Sequence, residues 1–199
     1  MKRLSLINLI SYFLCILCFF ALPSQLSAAE ENALFAGGCF WCLEHDLEHI
    51  NGVISVESGY AGGTMQNPTY REHQGHQEAV KVLFDPKRIS YEALLQDYWK
   101  NIDPFDGQGQ FCDKGDSYRP LIFPVNSTQE KLAINSISLI SKYLSVPASD
   151  IKVEIKNGAK FWLAEDYHQD YAIRNKLKYN FYRSSCGRDK RLEKIWNKG

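Results

Sequence analysis

The sequence predicts an α+β fold in which helices pack on one face of an antiparallel or mixed sheet. Three observations lead to this prediction. Alternating apolar and polar residues indicate strands at 53–60, 79–84 and 151–156. Apolar residues at helical spacing indicate helices at 40–50 and 90–100. These elements follow the order of a split β-α-β-β-α-β unit, which forms a two-layer sandwich.

The first half of the chain supplies the first five elements. An apolar run at 32–36 predicts a strand, and Gly37 and Gly38 predict a tight turn directly after it. Ser90 is a residue type that commonly caps helix N-termini, so we expect the second helix to begin there. The pattern predicts a strand, a tight turn and a helix around residue 39.

The second half predicts a fourth strand at 121–125 and a helix that runs to about Leu144. The sequence Ser127-Thr128-Gln129-Glu130 is typical of a capping box at the start of that helix. Beyond the fifth strand we expect helices at 164–177 and 188–196. No repeat or linker interrupts these elements. We therefore predict a single domain with a ferredoxin-like split β-α-β core and an irregular C-terminal extension.

The first 29 residues have the layout of a secretory signal peptide. Lys2-Arg3 precede an apolar stretch from Tyr12 to Leu22, and Ser27-Ala28-Ala29 supplies the small residues that a signal peptidase accepts. We predict a signal peptide at 1–29, cleaved after Ala29, and an exported domain at 30–199 that is periplasmic or secreted. An uncleaved membrane anchor is the alternative, although this stretch is shorter than the ~20 residues of a spanning helix.

The charge of the chain argues against nucleic acid as a partner. Without Lys2 and Arg3, the 23 basic residues become 21 against 23 acidic ones, a net charge of −2. No basic stripe is present, and nucleic-acid-binding domains normally carry one. The residues that follow the leader are numerous enough to form one domain with its own core.

Four cysteines remain after the leader, which would remove Cys15 and Cys18. An even number of cysteines in an exported protein suggests structural disulfides. A domain of this size can fold without them, however, and redox or catalytic use is equally consistent. The number of cysteines alone leaves both interpretations open.

Cys39 lies where a strand is expected to turn into a helix. Unpaired N–H groups and the helix dipole favour negative charge there, so we expect the pKa of this thiol to fall from ~8.5 towards neutrality. Phe40 and Trp41 would wall the site with aromatic rings, on which sulfur packs favourably by ~0.3–1.5 kcal/mol per contact. This placement predicts a reactive nucleophile.

Cys39 and Cys42 also form a C-x-x-C pair, a spacing that suits a redox dithiol or half of a zinc site. Zinc needs two further ligands. His45 and His49 follow on the same helix but are expected on a different face from Cys39. We therefore expect neither a metal nor a cofactor.

Several motifs resemble the peptide methionine sulfoxide reductase A family, and the likeness extends over essentially all of the chain after residue 30. The most specific is the segment Gly37-Gly38-Cys39-Phe40-Trp41-Cys42. The other motifs agree in order and spacing: Gly59-Tyr60-Ala61-Gly62-Gly63, Asn67-Pro68-Thr69-Tyr70, Gly75-His76-Gln77-Glu78-Ala79-Val80, Asp113-Lys114-Gly115-Asp116-Ser117-Tyr118-Arg119 and Ala164-Glu165-Asp166-Tyr167-His168-Gln169.

The resemblance implies a role for each matching residue. Cys39 would attack the sulfoxide sulfur, and Glu78 would donate a proton to the departing oxygen. Tyr70 and Tyr118 would hydrogen-bond that oxygen, while Asp113 would line the same site. For His168, in the last motif, a structural role is expected rather than a catalytic one.

Attack would leave Cys39 as a sulfenic acid, which a second thiol converts to a disulfide. Cys186 ranks first, because its C-terminal segment resembles the tail that carries the resolving cysteine in many relatives. Cys42 ranks second and is closest in sequence. Cys112 is the third candidate, in an Asp- and Gly-rich segment at 101–117 that is typical of a functional loop.

The resemblance further implies the substrates and the reductant. These are methionine S-sulfoxide, free and in oxidised proteins, and a thioredoxin-like electron donor; we expect a monomer. Two other hypotheses remain open from the residues alone. One is a general dithiol–disulfide oxidoreductase that uses Cys39 and Cys42, and the other is a metal-carrying module built on cysteines and histidines.

Overall fold

The computed structural model describes residues 29–197, which form eight strands and six α-helices. The strands are β1 (Glu31–Ala36), β2 (Val53–Ala61), β3 (Gln77–Phe84), β4 (Gly109–Gln110), β5 (Asp113–Lys114), β6 (Leu121–Ile122), β7 (Glu154–Ile155) and β8 (Phe161–Leu163). The helices are α1 (Phe40–Glu48), α2 (Tyr91–Lys100), α3 (Ser127–Leu144), α4 (Tyr171–Arg174), α5 (Lys176–Ser185) and α6 (Arg188–Trp196).

Six strands form one mixed sheet in the order β7-β6-β1-β3-β2-β8. Its four inner strands, β6-β1-β3-β2, are antiparallel and have the strand order of a ferredoxin-like fold. At the two edges, β7 pairs parallel with β6 and β8 pairs antiparallel with β2. The predicted α+β fold with a split β-α-β core is therefore confirmed.

The two faces of the sheet bury very different amounts of side chain. Phe35 of β1 is paired with Val80 of β3, and both belong to a large core cluster that also contains Leu43 and Leu47 of α1 and Leu94 of α2. The opposite face carries a cluster of only six buried residues, and none of them is helical: Leu34, Ala36, Ala61, Ala79, Leu121 and Phe123. The helices therefore pack on one face, as the alternating strand patterns predicted.

Helix capping agrees with the prediction at one helix and differs at another. The Ser90 side chain accepts the Ala93 N–H and caps α2. At α3 the cap is Asn126, not Ser127, because Asn126 has extended backbone angles and its Oδ1 accepts the Gln129 N–H at 2.9 Å. Ser127 already lies in the first turn of the helix. The capping-box prediction is therefore wrong by one residue.

Two predicted strands are shorter than the sequence indicates. β6 stops at Ile122 and its neighbour Phe123 makes one further backbone bond, while Pro124 has no N–H to continue the ladder. Because β6 has only two residues, β7 pairs only at Glu154–Ile155 rather than over 151–156.

The helix predicted at 164–177 is wrong over 164–170; within the predicted range only α4 and the first residues of α5 are helical. The preceding residues form the edge strand β8, and turns follow before α4 begins. The Gln169 side chain explains the irregular backbone, because it accepts the Ser58 N–H and donates to the carbonyls of Ser58 and Ala164. Asp170 then has a positive φ of 53°, which interrupts helical geometry. The terminal helix at 188–196 is confirmed as α6.

None of the helices within residues 29–197 is long and apolar enough to cross a membrane. The predicted signal peptide lies almost entirely outside these described residues.

Candidate active site

Cys39 is the N-cap of α1, directly after β1 and a two-glycine turn. Both glycines are required by close packing. A Cβ on Gly37 would lie 2.6 Å from Ile102 Cγ2, and one on Gly38 would lie 2.7 Å from Gln110 Cβ. Gly38 also has a φ of +83°, which other residues rarely adopt. The predicted strand, turn and helix around the thiol are therefore present.

Glu78 reaches the same helix end from the neighbouring strand β3. It is paired with Tyr60 across β2 and, two residues before Val80, points to the face of the sheet that the helices cover. Glu78 Oε2 accepts the N–H of Phe40, the first residue of α1, at 3.1 Å. A buried carboxyl group thus lies at the helix start beside Cys39.

A small cavity of about 70 Å³ opens at this point. It brings together all seven residues that were predicted for the catalytic site and the substrate pocket, together with Tyr182, which was not predicted. The lining residues are Cys39, Phe40, Trp41, Tyr70, Glu78, Asp113, Tyr118 and Tyr182.

Tyr182 connects the cavity to the C-terminal extension. Its hydroxyl donates to Asp113 Oδ2 at 2.5 Å, and Cys186 Sγ lies 3.9 Å from the same oxygen. The sequence did carry a signal for this residue. Tyr179, Tyr182 and Cys186 are three and four residues apart, the spacing of one helix face. The two tyrosines lie on α5, and Cys186 is its C-cap.

Trp41 is held in place by residues that follow β8. Its Nε1–H donates to His168 Nδ1 at 3.0 Å, and its ring stacks on Tyr171 with centroids 3.7 Å apart. Burial lowers the pKa of His168, so the ring stays neutral and Nδ1 can accept this bond. This contact fits the structural role expected for His168.

Tyr70 is fixed through its backbone. Its N–H donates to Glu165 Oε1 at 3.0 Å, while Glu165 Oε2 accepts the Tyr60 hydroxyl at 2.9 Å. Burial, reinforced by the Glu78 charge, raises the pKa of Tyr70 and of Tyr118. Both phenols therefore remain protonated and able to donate near neutral pH.

Burial raises the pKa of Glu78 to about 8; the Phe40 N–H lowers it, whereas Asp113 and Cys42 raise it. The carboxyl group is 2% exposed, so its charged form loses most of its hydration. Near pH 7 Glu78 is therefore largely protonated and can donate a proton.

The thiol at the helix start does not have the lowered pKa that its position predicted. Burial raises the pKa of Cys39, and the neighbouring Cys42 and Glu78 raise it further, although a hydrogen bond with Tyr182 lowers it. Cys39 is only 5% exposed, and this loss of hydration is the largest cause of the shift in its pKa. The prediction of an acidic Cys39 is therefore wrong.

Cys42 is the more acidic thiol of the pair. A hydrogen bond from Cys39 lowers the pKa of Cys42 to about 7, and the charges of Arg188 and Arg183 lower it as well, against the opposing effect of burial. Any negative charge on the C-x-x-C pair is therefore favoured on Cys42 over Cys39.

The four cysteines form two separate pairs. Cys39 and Cys42 are free thiols in the core, whereas Cys112 and Cys186 form a disulfide that links residues 74 positions apart. Cys112 is exposed to solvent. The structure thus has Cys186, the first-ranked resolving candidate, already bonded to Cys112, the third-ranked one.

Two groups of side chains within residues 29–197 bring possible metal ligands within 4.8 Å of one another. His45, Glu48 and His49 lie at the far end of α1 from Cys39. The other group contains the Cys112–Cys186 disulfide and Asp113. Neither group includes Cys39 or Cys42, so neither completes a zinc site around the C-x-x-C pair.

A larger groove, of about 660 Å³, lies between α2, α3 and α6. Trp99, Tyr143 and Trp196 are among its lining residues, which include no cysteine within the described part of the chain. Cavity size alone would therefore misplace the site, which is identified by its chemistry.

Comparison with known proteins agrees with this geometry. The family model of peptide methionine sulfoxide reductase matches residues 31–199. The chain is 49% identical over 178 residues to peptide methionine sulfoxide reductase MsrA 2 of Caulobacter vibrioides, covering 87% of this chain and 89% of the relative. It is 44% identical over 181 residues to the MsrA 2 protein of Rhizobium meliloti, with coverage of 90% and 89%.

Solved structures show the same likeness. Methionine sulfoxide reductase A of Corynebacterium diphtheriae superimposes with a TM-score of 0.64 and 28% identity, over 77% of this chain and 78% of that one. Mxr1 from Saccharomyces cerevisiae in reduced form superimposes with a TM-score of 0.66 and 26% identity, over 75% and 87%. The chain therefore belongs to the peptide methionine sulfoxide reductase family and is an oxidoreductase that reduces methionine sulfoxide.

Proposed function

We propose that Cys39 attacks the sulfur of a methionine sulfoxide bound in the small cavity, while Glu78 protonates the departing oxygen. One observation carries this assignment: a carboxyl group that is largely protonated at neutral pH lies in the same cavity as the thiol. Oxide is a poor leaving group, so the reaction needs a proton donor at that oxygen.

Cys42 is the proposed base for the first step. As a thiolate it accepts the Cys39 S–H hydrogen bond, so it can take the Cys39 proton as the sulfur attacks. Glu78 gives its own proton to the oxygen. The products are the sulfide, Cys39 sulfenic acid, the Cys42 thiol and the Glu78 carboxylate. Cys39 is oxidised by two electrons, methionine sulfur is reduced by two, and the single negative charge moves from Cys42 to Glu78.

Two phenols are placed to hold the sulfoxide oxygen during this step. Tyr70 and Tyr118 line the cavity, and burial raises the pKa of each, so both keep their protons. Tyr182 also lines the cavity, but its hydroxyl donates to Asp113. Donors fixed before the reaction stabilise developing charge most effectively when water is excluded. Phe40 and Trp41 supply apolar surface for the methyl group.

Cys42 is also the proposed resolving residue. Its thiol condenses with the Cys39 sulfenic acid, which forms the Cys39–Cys42 disulfide and releases water. Two observations favour Cys42 over Cys186: it is a free thiol hydrogen-bonded to Cys39, and Cys186 is held by Cys112.

Electrons are proposed to enter at the Cys112–Cys186 disulfide. A protein reductant can reach exposed Cys112, whereas Cys39 and Cys42 are 5% and 2% exposed. An external dithiol would reduce Cys112–Cys186 and become a disulfide. The two new thiols would then reduce Cys39–Cys42 by exchange and re-form their own bond. A thioredoxin-like donor suits this step, and yeast Mxr1 has been crystallised in complex with Trx2.

The decisive experiment is a single turnover without added reductant. The wild-type enzyme, with Cys39 and Cys42 reduced, should form one methionine per molecule. Cys39→Ser should form none, and Glu78→Gln should bind substrate but react at least about a hundredfold more slowly, the usual contribution of a general acid. Full methionine formation by Cys39→Ser would falsify the assignment. Use of both sulfoxide epimers tests the proposed preference for the S form.

The alternative of a general dithiol–disulfide oxidoreductase has less support. A protein disulfide substrate would have to reach Cys39 and Cys42, which are both buried. Reduction of insulin disulfides by the enzyme, measured beside methionine sulfoxide reduction, separates the two activities. Faster insulin reduction would favour the alternative.

We also propose export with removal of residues 1–29, a monomeric enzyme and no resident metal. The support for export is the charge and hydropathy layout of the leader. Mass spectrometry of the N-terminus after cell fractionation tests cleavage at Ala29. Sedimentation and elemental analysis of the purified enzyme test the oligomeric state and the metal content.

A further inference from the structure

We infer that His45, Glu48 and His49, at the C-terminal end of α1, form a binding site for an exchangeable divalent transition-metal ion of the zinc type. The three residues are separate from the small cavity and from both cysteine pairs. The inference does not depend on the proposed reaction, because zinc binding is measured without a substrate.

The spacing of the three residues places them together on α1. His45 and Glu48 are three residues apart, and His45 and His49 are four apart, so all three share one face of the helix. Imidazole nitrogens and carboxylate oxygens are ligands that zinc binds in proteins. The histidines cannot share an ion with Cys39, which excluded a zinc site at the C-x-x-C pair. Glu48 provides the missing ligand instead.

The distances around Glu48 fit a zinc ion. Glu48 Oε1 is 3.4 Å from His45 Nδ1 and 3.5 Å from His49 Nδ1. One ligand atom from each of the three residues lies within 4.8 Å of the other two. Tetrahedral zinc with bonds of about 2.0–2.1 Å holds its ligand atoms about 3.3–3.4 Å apart. Two of the three separations are therefore close to those of a zinc site before any ion binds.

His45 Nδ1 is a ligand atom that the fold does not otherwise use. It is buried and has no hydrogen-bond partner within residues 29–197. Most buried polar side-chain atoms do have one, so this exception requires an explanation. The His45 ring also packs edge-on against Tyr179, with centroids 5.2 Å apart, which restricts its orientation. A bound metal ion would give this nitrogen a partner without moving the ring.

His49 is the C-cap of α1, and its ring is held at the helix end. Its Nδ1 donates to the His45 carbonyl at 2.8 Å. A metal ion bound at this nitrogen would replace the proton there, as ligation by histidine requires. The carbonyl groups at the C-terminal end of a helix favour positive charge. The end of α1 therefore adds to the attraction of Glu48 for a cation.

The exposure of the site indicates an ion that exchanges with solvent. The His49 side chain is 64% exposed, whereas Glu48 is 18% exposed. The site offers three protein ligands, whereas a structural zinc site is closed by four. Purification can therefore remove the ion, which is consistent with the proposed absence of a resident metal.

The experiment titrates the enzyme with zinc chloride and follows the heat of binding. Cys39→Ser/Cys42→Ser is the background, because the two free thiols could themselves bind zinc. We expect this protein to bind one zinc ion per chain. Adding His45→Ala, Glu48→Gln or His49→Ala should raise the Kd at least about tenfold, since losing a group that only orients a ligand already costs about 10- to 100-fold.

His73→Ala in the same background is the matched control. Like His49, His73 bonds through Nδ1 to the carbonyl four residues earlier, that of Thr69, at 3.0 Å. It belongs to neither group of possible metal ligands in the described part of the chain. Its Kd for zinc should equal that of the background protein. Absence of zinc binding to the background protein would overturn the inference, and so would an equal Kd in His73→Ala and the three ligand variants.

Thermal unfolding tests whether the folded helix forms the site. Zinc at about 100 times its Kd should raise the Tm by roughly 5–10 °C if it binds the folded chain alone. His49→Ala should lose most of this rise, and its cooperative transition without zinc shows that it is folded. Zinc binding that leaves the Tm of the background protein unchanged would mean that the unfolded chain binds equally well, and it would overturn the inference of a site built by the fold.

Discussion

The two cysteine pairs of this enzyme lie in contrasting environments. Cys39 and Cys42 are three residues apart at the start of α1 and are buried as free thiols. The Cys112–Cys186 disulfide joins a loop to the end of α5 across 74 positions. Cys112 of this pair is exposed to solvent. The contrast agrees with the proposed mechanism, in which the reacting sulfur is shielded from water and the sulfur that meets a protein reductant is accessible.

The two regions are nevertheless coupled. Arg183 and Arg188, from the extension that carries Cys186, lower the pKa of Cys42. Both arginines are held by Asp46 of α1, at 2.7 Å for Arg183 Nη1 and 3.6 Å for Arg188 Nε. The C-terminal extension therefore adds to the effect of the Cys39 hydrogen bond, which is the larger cause of the lowered pKa of Cys42.

The largest expected effect is on turnover, and it should differ between variants of the two cysteine pairs. With thioredoxin as the reductant, Cys42→Ser should form at most one methionine per enzyme and then stop, because Cys39 sulfenic acid has no resolving thiol. That single turnover should be slower than in wild type, because the variant lacks the thiolate that accepts the Cys39 proton. With dithiothreitol, the Cys112→Ser/Cys186→Ser double variant should continue to turn over. The amount of methionine formed per enzyme, followed over time, measures the turnover of both variants. Continued turnover of Cys42→Ser with thioredoxin would show that another cysteine resolves Cys39.

The second prediction concerns pH. The first step needs Cys42 as a thiolate and Glu78 protonated, so its rate should rise through pH about 7 and fall through about 8. Single-turnover rates at low substrate concentration report these free-enzyme values.

The variants sharpen this pH test. Cys42→Ser should abolish the rise on the acid side, and Glu78→Gln should abolish the fall on the alkaline side at a much lower rate. An unchanged profile in both variants would contradict the proposed roles.

A smaller effect is expected at Tyr182, where the two regions meet. Tyr182→Phe removes the hydroxyl that donates to Asp113 and lowers the pKa of Cys39. Loss of one such hydrogen bond costs roughly 1.5 kcal/mol, so the single-turnover rate should fall about tenfold. Tyr143→Phe is the control, because the Tyr143 hydroxyl donates to the Trp196 carbonyl in the groove between α3 and α6. If Tyr182→Phe and Tyr143→Phe lowered the single-turnover rate equally, the proposed contribution of the Tyr182 hydroxyl to the reaction would be contradicted.

The smallest effect on chemistry should come from the disulfide itself. Closing a loop of this length stabilises a fold by up to ~4 kcal/mol through the unfolded state. The double serine variant should therefore lose about 2–4 kcal/mol of unfolding free energy in urea, yet form methionine in a single turnover at close to the wild-type rate. An unchanged free energy of unfolding would indicate that the C-terminal extension is held in place by contacts other than the disulfide.

Sequence periodicity predicted the core well because burial there repeats along the chain. The alternation in β3 placed Val80 and Val82 towards the helices, and it also directs Glu78 to that face. The same reasoning failed at 164–177, where Gln169 bonds to the backbone of a strand more than a hundred residues away. Tyr182 was missed because its helix was not predicted, although its spacing from Tyr179 was visible.

By itself, the sequence determined the turn and the helix start around Cys39 and predicted this residue as the nucleophile, because glycines, periodicity and motif spacing are local properties. Only the tertiary structure decided the protonation of that site. Burial raises the pKa of Cys39 and Glu78; a hydrogen bond with Cys39 lowers the pKa of Cys42, and the charges of the distant Arg188 and Arg183 lower it further. Hydration and charge at a point in space depend on every segment that packs there, and no local pattern contains that information.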